Sequence, residues 1–395
     1  MKSVHYDLER LTAFRHDLHK HAELSYKETR TSSKIHEYLI KLGISENNIR
    51  KAAQTGLIVD ITGTAPASGK PFCVALRADM DGLPIKENNP EIDYQSVTEA
   101  AHMCGHEMHV TCLLGGASLI VEKLDQIPQD KKLRLLFQPA EEIIGGALPM
   151  IKEGALDGVD EVYGFHNYPW EKPGKLYVKK GPMLAGITEI AVTIYGKGGH
   201  SSTPEILKDP LQPAVDIHAE LRHLIKEYKD KGEKFTICLP YIKTGNAPNA
   251  ISDTCVIKGS LRSFDASFTK EFQERLRKLI EENVKKYDCH ADILIEEEYP
   301  STHNTDKETE HVIRVGKKVL GEENVGEGPG LPVYATEDFS YFTQERPGAY
   351  FFLSSARNEG DLLHSNKFNA NDDLIPLASN MWFRLIEDRF EVTFK

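Results

Sequence analysis

Residues 72–84, FCVALRADMDGLP, read as an apolar strand that ends abruptly in charge. Phe72 to Leu76 is a continuous apolar run, the pattern of a strand covered on both faces, and Arg77, Asp79 and Asp81 follow it. In α/β sheets, ligands gather in the loops beyond the carboxyl ends of strands, so this strand end is the first candidate wall of a site. The design recurs downstream. KLRLLFQPAEE runs apolar into Glu141 and Glu142, and GVDEVYGFHNYPW reaches His166. Between the first two strands lies HMCGHEMH, His102–His109, which opens onto an apolar run read as a helix over Val110 to Leu124. Three strands that deliver ionisable groups at one end, with helical segments between them, predict a mostly parallel sheet.

Working outward, two helices precede this core, one carrying LTAFRHDLHKHAEL and one from Thr29 to Leu42, followed by the strand GLIVDITG. His16, His19 and His21 of the first helix read as surface or capping histidines. After Gly181-Pro182 the pattern changes to strand, helix (Pro210 to Tyr228), two strands, helix (Phe268 to Lys286) and strand. The order β-α-β-β-α-β is that of a ferredoxin-like split module. The sequence therefore predicts an α/β catalytic domain, residues 1–184 and 299–395, with a mostly parallel mixed sheet flanked by helices. Residues 185–298 would form a second, inserted domain.

Composition narrows the function. A chain of 395 residues, 40% apolar, can bury two cores, so no metal or disulfide is needed merely to fold it. Sixty acidic side chains against 48 basic ones, without a dense basic run, argue against nucleic acid or an anionic membrane as partner. No apolar run is long enough to span a bilayer and the N-terminal stretch lacks the apolar core of a signal peptide, so a cytoplasmic protein is expected. The six cysteines are scattered, with no spacing of a zinc knuckle or disulfide framework.

Thiolate and imidazole are good zinc ligands, and catalytic zinc often adds a carboxylate. Cys104 and His106 can converge on one ion only if the segment holding them is a turn, with the helix starting after it. A second local reading pairs His106 with His109 around Glu107, although a zincin helix spaces its histidines by four residues rather than three. A third is a polar turn with incidental histidines. Adjacent residues of an extended segment point apart, so one of Glu141 and Glu142 can bind metal while the other faces substrate as a general base. His166 and His364, the latter in LLHSNKF, complete the candidates at strand ends.

Taken together, HMCGHEMH, LRADMDGLPI, FQPAEE, GFHN, GKGGHSSTP, GNAPNAISD, TEDFSYF and HSNKF, in this order, span nearly the whole chain. They resemble the amidohydrolase branch of the aminoacylase/carboxypeptidase family of dinuclear metallohydrolases, which includes hippurate hydrolases, N-acyl-amino-acid deacylases and auxin-conjugate hydrolases. The resemblance implies that Cys104, His106, Glu142, His166 and His364 hold two divalent ions, zinc or manganese, with the thiolate between them. Glu141 would be the general base. The resemblance also implies that residues 185–298 are a lid or dimerisation domain, that His200 would reach the site of the other subunit of a homodimer formed through it, and that Asn249 with Arg262 would hold the substrate carboxylate. The implied reaction is amide hydrolysis of N-acyl amino acids. A metallo-carboxypeptidase or dipeptidase acting on short peptides, or a non-catalytic metal-binding protein of the same fold, are the alternatives. Glu107 stands where the family has Asp, Ser252 replaces a Pro, and Ala335 stands in place of a Gly.

Overall fold

The structure is a computed structural model that describes residues 6–143, 145–328 and 330–395. The chain divides into two units, Met1–Met183 with His303–Leu331 and Asp338–Lys395, and Leu184–Thr302 with Pro332–Glu337. The crossing back to the larger unit lies at His303 rather than at 299, and Pro332–Glu337, expected in the larger unit, groups with the smaller one. Hydrogen bonds explain this. Ala185 N–H donates to the carbonyls of Val333 and Ala335, and the Ser301 hydroxyl donates to the carbonyl of Leu184.

Along the chain, the larger unit opens with α1 (Leu8–Lys20), α2 (Thr29–Lys41), β1 (Ile49–Ala52), β2 (Gly56–Thr62) and β3 (Phe72–Asp79). It continues with α3 (His106–Val121), β4 (Lys131–Gln138) and β5 (Glu161–Tyr168). The smaller unit then contributes β6 (Gly186–Tyr195), α4 (Leu211–Asp230), β7 (Phe235–Thr244), β8 (Thr254–Ser263), α5 (Ala266–Lys286) and β9 (His290–Tyr299). The larger unit resumes with α6 (Asp306–Leu320), β10 (Gly348–Ser354) and α7 (Leu374–Arg389).

In the larger unit, β1-β2-β4-β3-β5-β10 form one sheet, extended by the short strands Leu176–Tyr177 and Val325–Gly326. The four central strands β4, β3, β5 and β10 run parallel, while β1 and β2 add antiparallel pairs at one edge. Every residue of β5 and β10 is buried, which is why these strands do not alternate apolar and polar residues along their length. Parallel neighbours carry their carboxyl ends to one side, so the loops after β3, β4, β5 and β10 are brought together.

Helix α3 is buried on almost every face, the signature of a helix covered on both sides. It approaches α7 through Gly115 and Gly116. A Cβ at Gly115 would stand 2.0 Å from Ser379 Oγ, and one at Gly116 2.7 Å from Trp382 Cβ. The helix begins at His106, earlier than the expected Val110, because Gly105 adopts φ 90 and turns the chain just before it.

The smaller unit is an antiparallel sheet of order β7-β8-β6-β9. β6 alternates buried and half-buried residues, with Ile190, Val192 and Ile194 facing a core shared with Ile217 and Leu221 of α4 and Phe272 and Leu276 of α5. Among the described residues, no helix is long and apolar enough to cross a membrane.

Candidate metal centre

Cys104 and His106 flank Gly105, whose left-handed backbone lets a pair two residues apart face one point. The tight fit is local. The Asn167 amide donates to the Cys104 carbonyl at 2.7 Å, and a Cβ at Gly105 would meet Asn167 Oδ1 at 2.7 Å. Cys104, His106 and His166 thus form one set of donors, with Cys104 Sγ 3.4 Å from His166 Nε2. A second set is Cys104, Glu142 and His364, with His364 Nε2 3.4 Å from Glu142 Oε1. All five residues expected as ligands are therefore brought together, and Cys104 belongs to both sets. His364 comes from the loop after β10, where its own φ is 60 and its N–H donates to the Met103 carbonyl at 2.7 Å.

The donor atoms fit a cation. His106 Nε2 and Glu142 Oε1 are buried with no hydrogen-bond partner among the described residues. They lie 3.8 Å apart, too far for a hydrogen bond. One of these atoms belongs to each donor set, so a cation in each set would give both a partner. Leaving such atoms unpaired costs about 1–3 kcal/mol each, a cost that a bound cation removes.

The surrounding groups fix which ring nitrogen is free. His106 Nδ1 faces Asp81 Oδ1 at 3.1 Å, and His166 Nδ1 faces the Asn167 carbonyl at 2.8 Å, so in each ring Nε2 is left for the ion. His109 is not a ligand in either set. It is held between Asp79 Oδ1, 2.5 Å from Nδ1, and the Asn167 N–H, 3.0 Å from Nε2. Arg77 is buried and donates to Asp79, Gln138 and Asp338.

Electrostatics agree with a cation site. Burial opposes charging His106, yet Asp79, Asp81 and Glu142 outweigh it and raise its pKa to about 10. Burial, helped by the facing carboxylates of Glu142, Glu141 and Asp79, pushes the Cys104 thiol well up. A thiol in that field keeps its proton until positive charge arrives, and a divalent ion is the charge that would convert it to thiolate.

Glu141 and Glu142 follow β4 through a strained turn. Ala140 is buried with φ 56, a left-handed conformation that costs an L-residue roughly 1–2 kcal/mol. Asp81 receives both following N–H groups, from Glu141 at 3.1 Å and from Glu142 at 3.0 Å, as well as the Ser25 hydroxyl at 2.6 Å. Glu141 Oε2 is 4.0 Å from His106 Nε2.

Sequence reasoning misplaced one group. His19, read as a surface or capping residue, is fully buried, with Nδ1 2.9 Å from Glu107 and Nε2 3.0 Å from Glu87. Arg15 joins it and donates to Glu107 Oε1 through Nε at 3.1 Å and Nη2 at 2.8 Å. Glu107 therefore ties the start of α3 to α1. His102 is buried beside it, and burial carries its pKa down to about 4.

In the smaller unit, His200 and Asn249 lie together. Ala250 pairs with His200, and the Asn249 carbonyl accepts from Ser201 N–H at 3.0 Å. Both are exposed. Arg262 is elsewhere. It pairs with Ile187 at one end of β8, whereas Thr254, at the other end, pairs with Tyr195, which leads into the His200 ribbon. At about 3.3 Å per residue these ends are roughly 25–30 Å apart. The Arg262 guanidinium donates to the Tyr334 carbonyl at 2.7 Å. One chain thus does not bring Asn249 beside Arg262.

Residues 75–388 match the model of Peptidase family M20/M25/M40. Thermostable carboxypeptidase 1 of Saccharolobus solfataricus is 35% identical over 373 residues, 92% of this chain and 91% of its own. Hippurate hydrolase of Campylobacter jejuni is 32% identical over 375 residues, with 94% of each chain covered. A solved dinuclear metal binding peptidase of the M20 family from Bacillus subtilis superposes with a TM-score of 0.82 at 26% identity, covering 98% of this chain and 99% of its own. With a cation-ready donor cluster at the carboxyl end of its parallel sheet, this chain is a hydrolase acting on amides and belongs to peptidase family M20/M25/M40.

Proposed function

We propose that the enzyme hydrolyses the amide bond of N-acyl amino acids, with acetyl, benzoyl or similar acyl groups, releasing a carboxylic acid and a free amino acid. The observation that carries this reading is the pair of donor sets that share Cys104. Cys104, His106, Glu142, His166 and His364 would hold two divalent ions. Thiolate favours zinc, while the carboxylate and imidazoles also suit manganese. When bound, such ions polarise a carbonyl and lower the pKa of water.

Glu141 acts as the general base. Its carboxylate takes a proton from the attacking water as the water oxygen bonds to the acyl carbon, then returns it to the amide nitrogen as the C–N bond breaks. A donor must meet the oxyanion that develops. His200 from the second subunit of a homodimer fills that role, and Arg262 meets the substrate carboxylate through its planar fork. The separation of Arg262 from the ribbon of His200 and Asn249 within one chain supports a site that takes Arg262 from one subunit and the other two from its partner. The smaller unit then serves as lid and dimerisation domain, and its strand order β7-β8-β6-β9 supports the ferredoxin-like reading. Free cysteines suit a reducing compartment, the cytoplasm.

A second reading, a carboxypeptidase acting on short peptides, is favoured by the name of the Saccharolobus relative. Both reactions leave an amino acid with a free carboxylate. Hydrolysis of a panel of N-acetyl, N-benzoyl and dipeptide substrates, with zinc or manganese added, tests the proposal. Turnover of the N-acyl compounds above the dipeptides supports it, and turnover of dipeptides alone overturns it.

A further inference from the structure

Three consecutive backbone N–H groups, those of Ala140, Glu141 and Glu142, donate to buried carboxylates, and two of the three go to Asp81. The third, Ala140 N–H, donates to Glu28 Oε1 at 2.9 Å. Glu28 is fully buried, and its other oxygen accepts from the Thr55 hydroxyl at 2.7 Å. It occupies the residue before α2, a natural capping place, yet its side chain makes no capping hydrogen bond to that helix. A buried carboxylate that ignores the adjacent helix and reaches across to a residue in a left-handed turn needs another explanation. Neighbouring residues add to the same turn, since the Tyr26 hydroxyl donates to the Gly145 carbonyl at 2.9 Å.

We propose that Glu28 is a positioning residue for the hydrolysis, holding Ala140 in its left-handed conformation so that Glu142 points to the metal donors and Glu141 to the substrate. An L-residue keeps positive φ only where its surroundings over-determine it. Glu28 supplies that constraint through an acceptor aimed at the Ala140 N–H. Without it, Ala140 relaxes toward ordinary φ, the peptide between Ala140 and Glu141 rotates, and both carboxylates move. This inference rests on the roles proposed above for Glu141 and Glu142.

The test uses the full-length protein with steady-state kinetics, metal content by elemental analysis and thermal unfolding. Misplacing reacting groups by about 1 Å costs on the order of 10²-fold in rate. Glu28→Ala should therefore lower kcat by about 10²-fold and lower metal content per subunit, with KM changed by less than about 3-fold. Glu28→Gln keeps an acceptor for the Ala140 N–H and should retain kcat within about 3-fold. Ala140→Gly, which adopts positive φ without strain, should restore much of the kcat and metal content lost in Glu28→Ala. A folded Glu28→Ala protein with normal kcat and metal content overturns the proposal, as does a double variant with no recovery. Should Glu28→Ala fail to fold, a folded Glu28→Gln protein that loses more than about 10-fold in kcat overturns it instead. Glu141→Gln, run in parallel, separates the two claims. If it stays active, the assignment of the base fails. If it is inactive while Glu28→Ala is normal, only the role of Glu28 fails.

Discussion

Asp81 faces His106 across 3.1 Å, Oδ1 to Nδ1, and this contact decides which imidazole nitrogen is left for a cation. Outer partners of this kind typically contribute 10–100-fold to metal affinity. Asp81→Asn should therefore weaken zinc binding by about 10–100-fold, measured by competition with a chromogenic chelator. Unchanged affinity would mean that Asp81 does not orient the ring.

Glu141→Gln removes the base and leaves all five donors in place. Turnover should fall by at least about 10³-fold while metal content stays normal, a split that kinetics and elemental analysis read separately. A variant with near-normal kcat would end the assignment.

Chelation should abolish turnover without unfolding the chain. Two cores of buried apolar side chains hold the fold independently of the donor cluster. Far-ultraviolet circular dichroism should keep its native form in excess chelator, and added zinc or manganese should restore activity. Loss of the fold on chelation would show that the ions are structural.

The Glu161–Arg389 pair gives a stability prediction with a definite sign. Burial alone would raise the Glu161 carboxyl, but two hydrogen bonds from the Arg389 guanidinium, both 2.7 Å, and its charge hold it below the usual carboxylate range. A depressed native pKa contributes stability above the unfolded pKa, about 4.3, that is lost as pH falls through the native value. Arg389→Met removes both of these hydrogen bonds and leaves the buried carboxylate with only the Tyr163 hydroxyl at 2.8 Å and Lys307 Nζ at 3.7 Å, and should cost about 3 kcal/mol at pH 7. The deficit should shrink as pH drops below about 4, because Glu161 protonates in both proteins. Urea unfolding at pH 7 and at about pH 3 measures this, and a deficit independent of pH would contradict it.

Mixed dimers test the shared site. Protein carrying His200→Ala, combined with protein carrying Arg262→Ala, leaves one intact site in each heterodimer if the two residues serve different subunits. Random exchange should then recover about a quarter of normal activity. No recovery with heterodimers verified would place both residues in one subunit's site.

Much of the fold was legible because buried parallel strands announce themselves. β3, β4 and β5 each carry a short apolar stretch, Cys73–Leu76, Leu135–Phe137 and Val162–Phe165, and the ionisable groups of the site follow those stretches. Cys104 and His106 could be paired from spacing only by assuming a turn, which Gly105 supplies. His364 needed the resemblance, since nothing local separates it from a surface histidine, and its side chain is half exposed. The supports were less legible. His19 and Arg15 lie on an amphipathic helix where polar residues ordinarily face water, and their partner Glu107 is 88 and 92 residues away. Asp81 and Glu28 act on backbone N–H groups, a role that leaves no periodicity or spacing in the sequence. Glu107 illustrates the limit. The resemblance singles out this position, but only the fold shows that its side chain reaches α1.

The central claim is that Cys104 is shared by two cation sites. The most direct measurement is a crystal structure of the zinc-loaded protein, with anomalous differences recorded on either side of the zinc absorption edge. The account predicts two peaks, each about 2.3 Å from Cys104 Sγ, one also bound by His106 and His166 and the other by Glu142 and His364. A single peak, or two peaks of which one lies beyond bonding distance of Cys104, would contradict it.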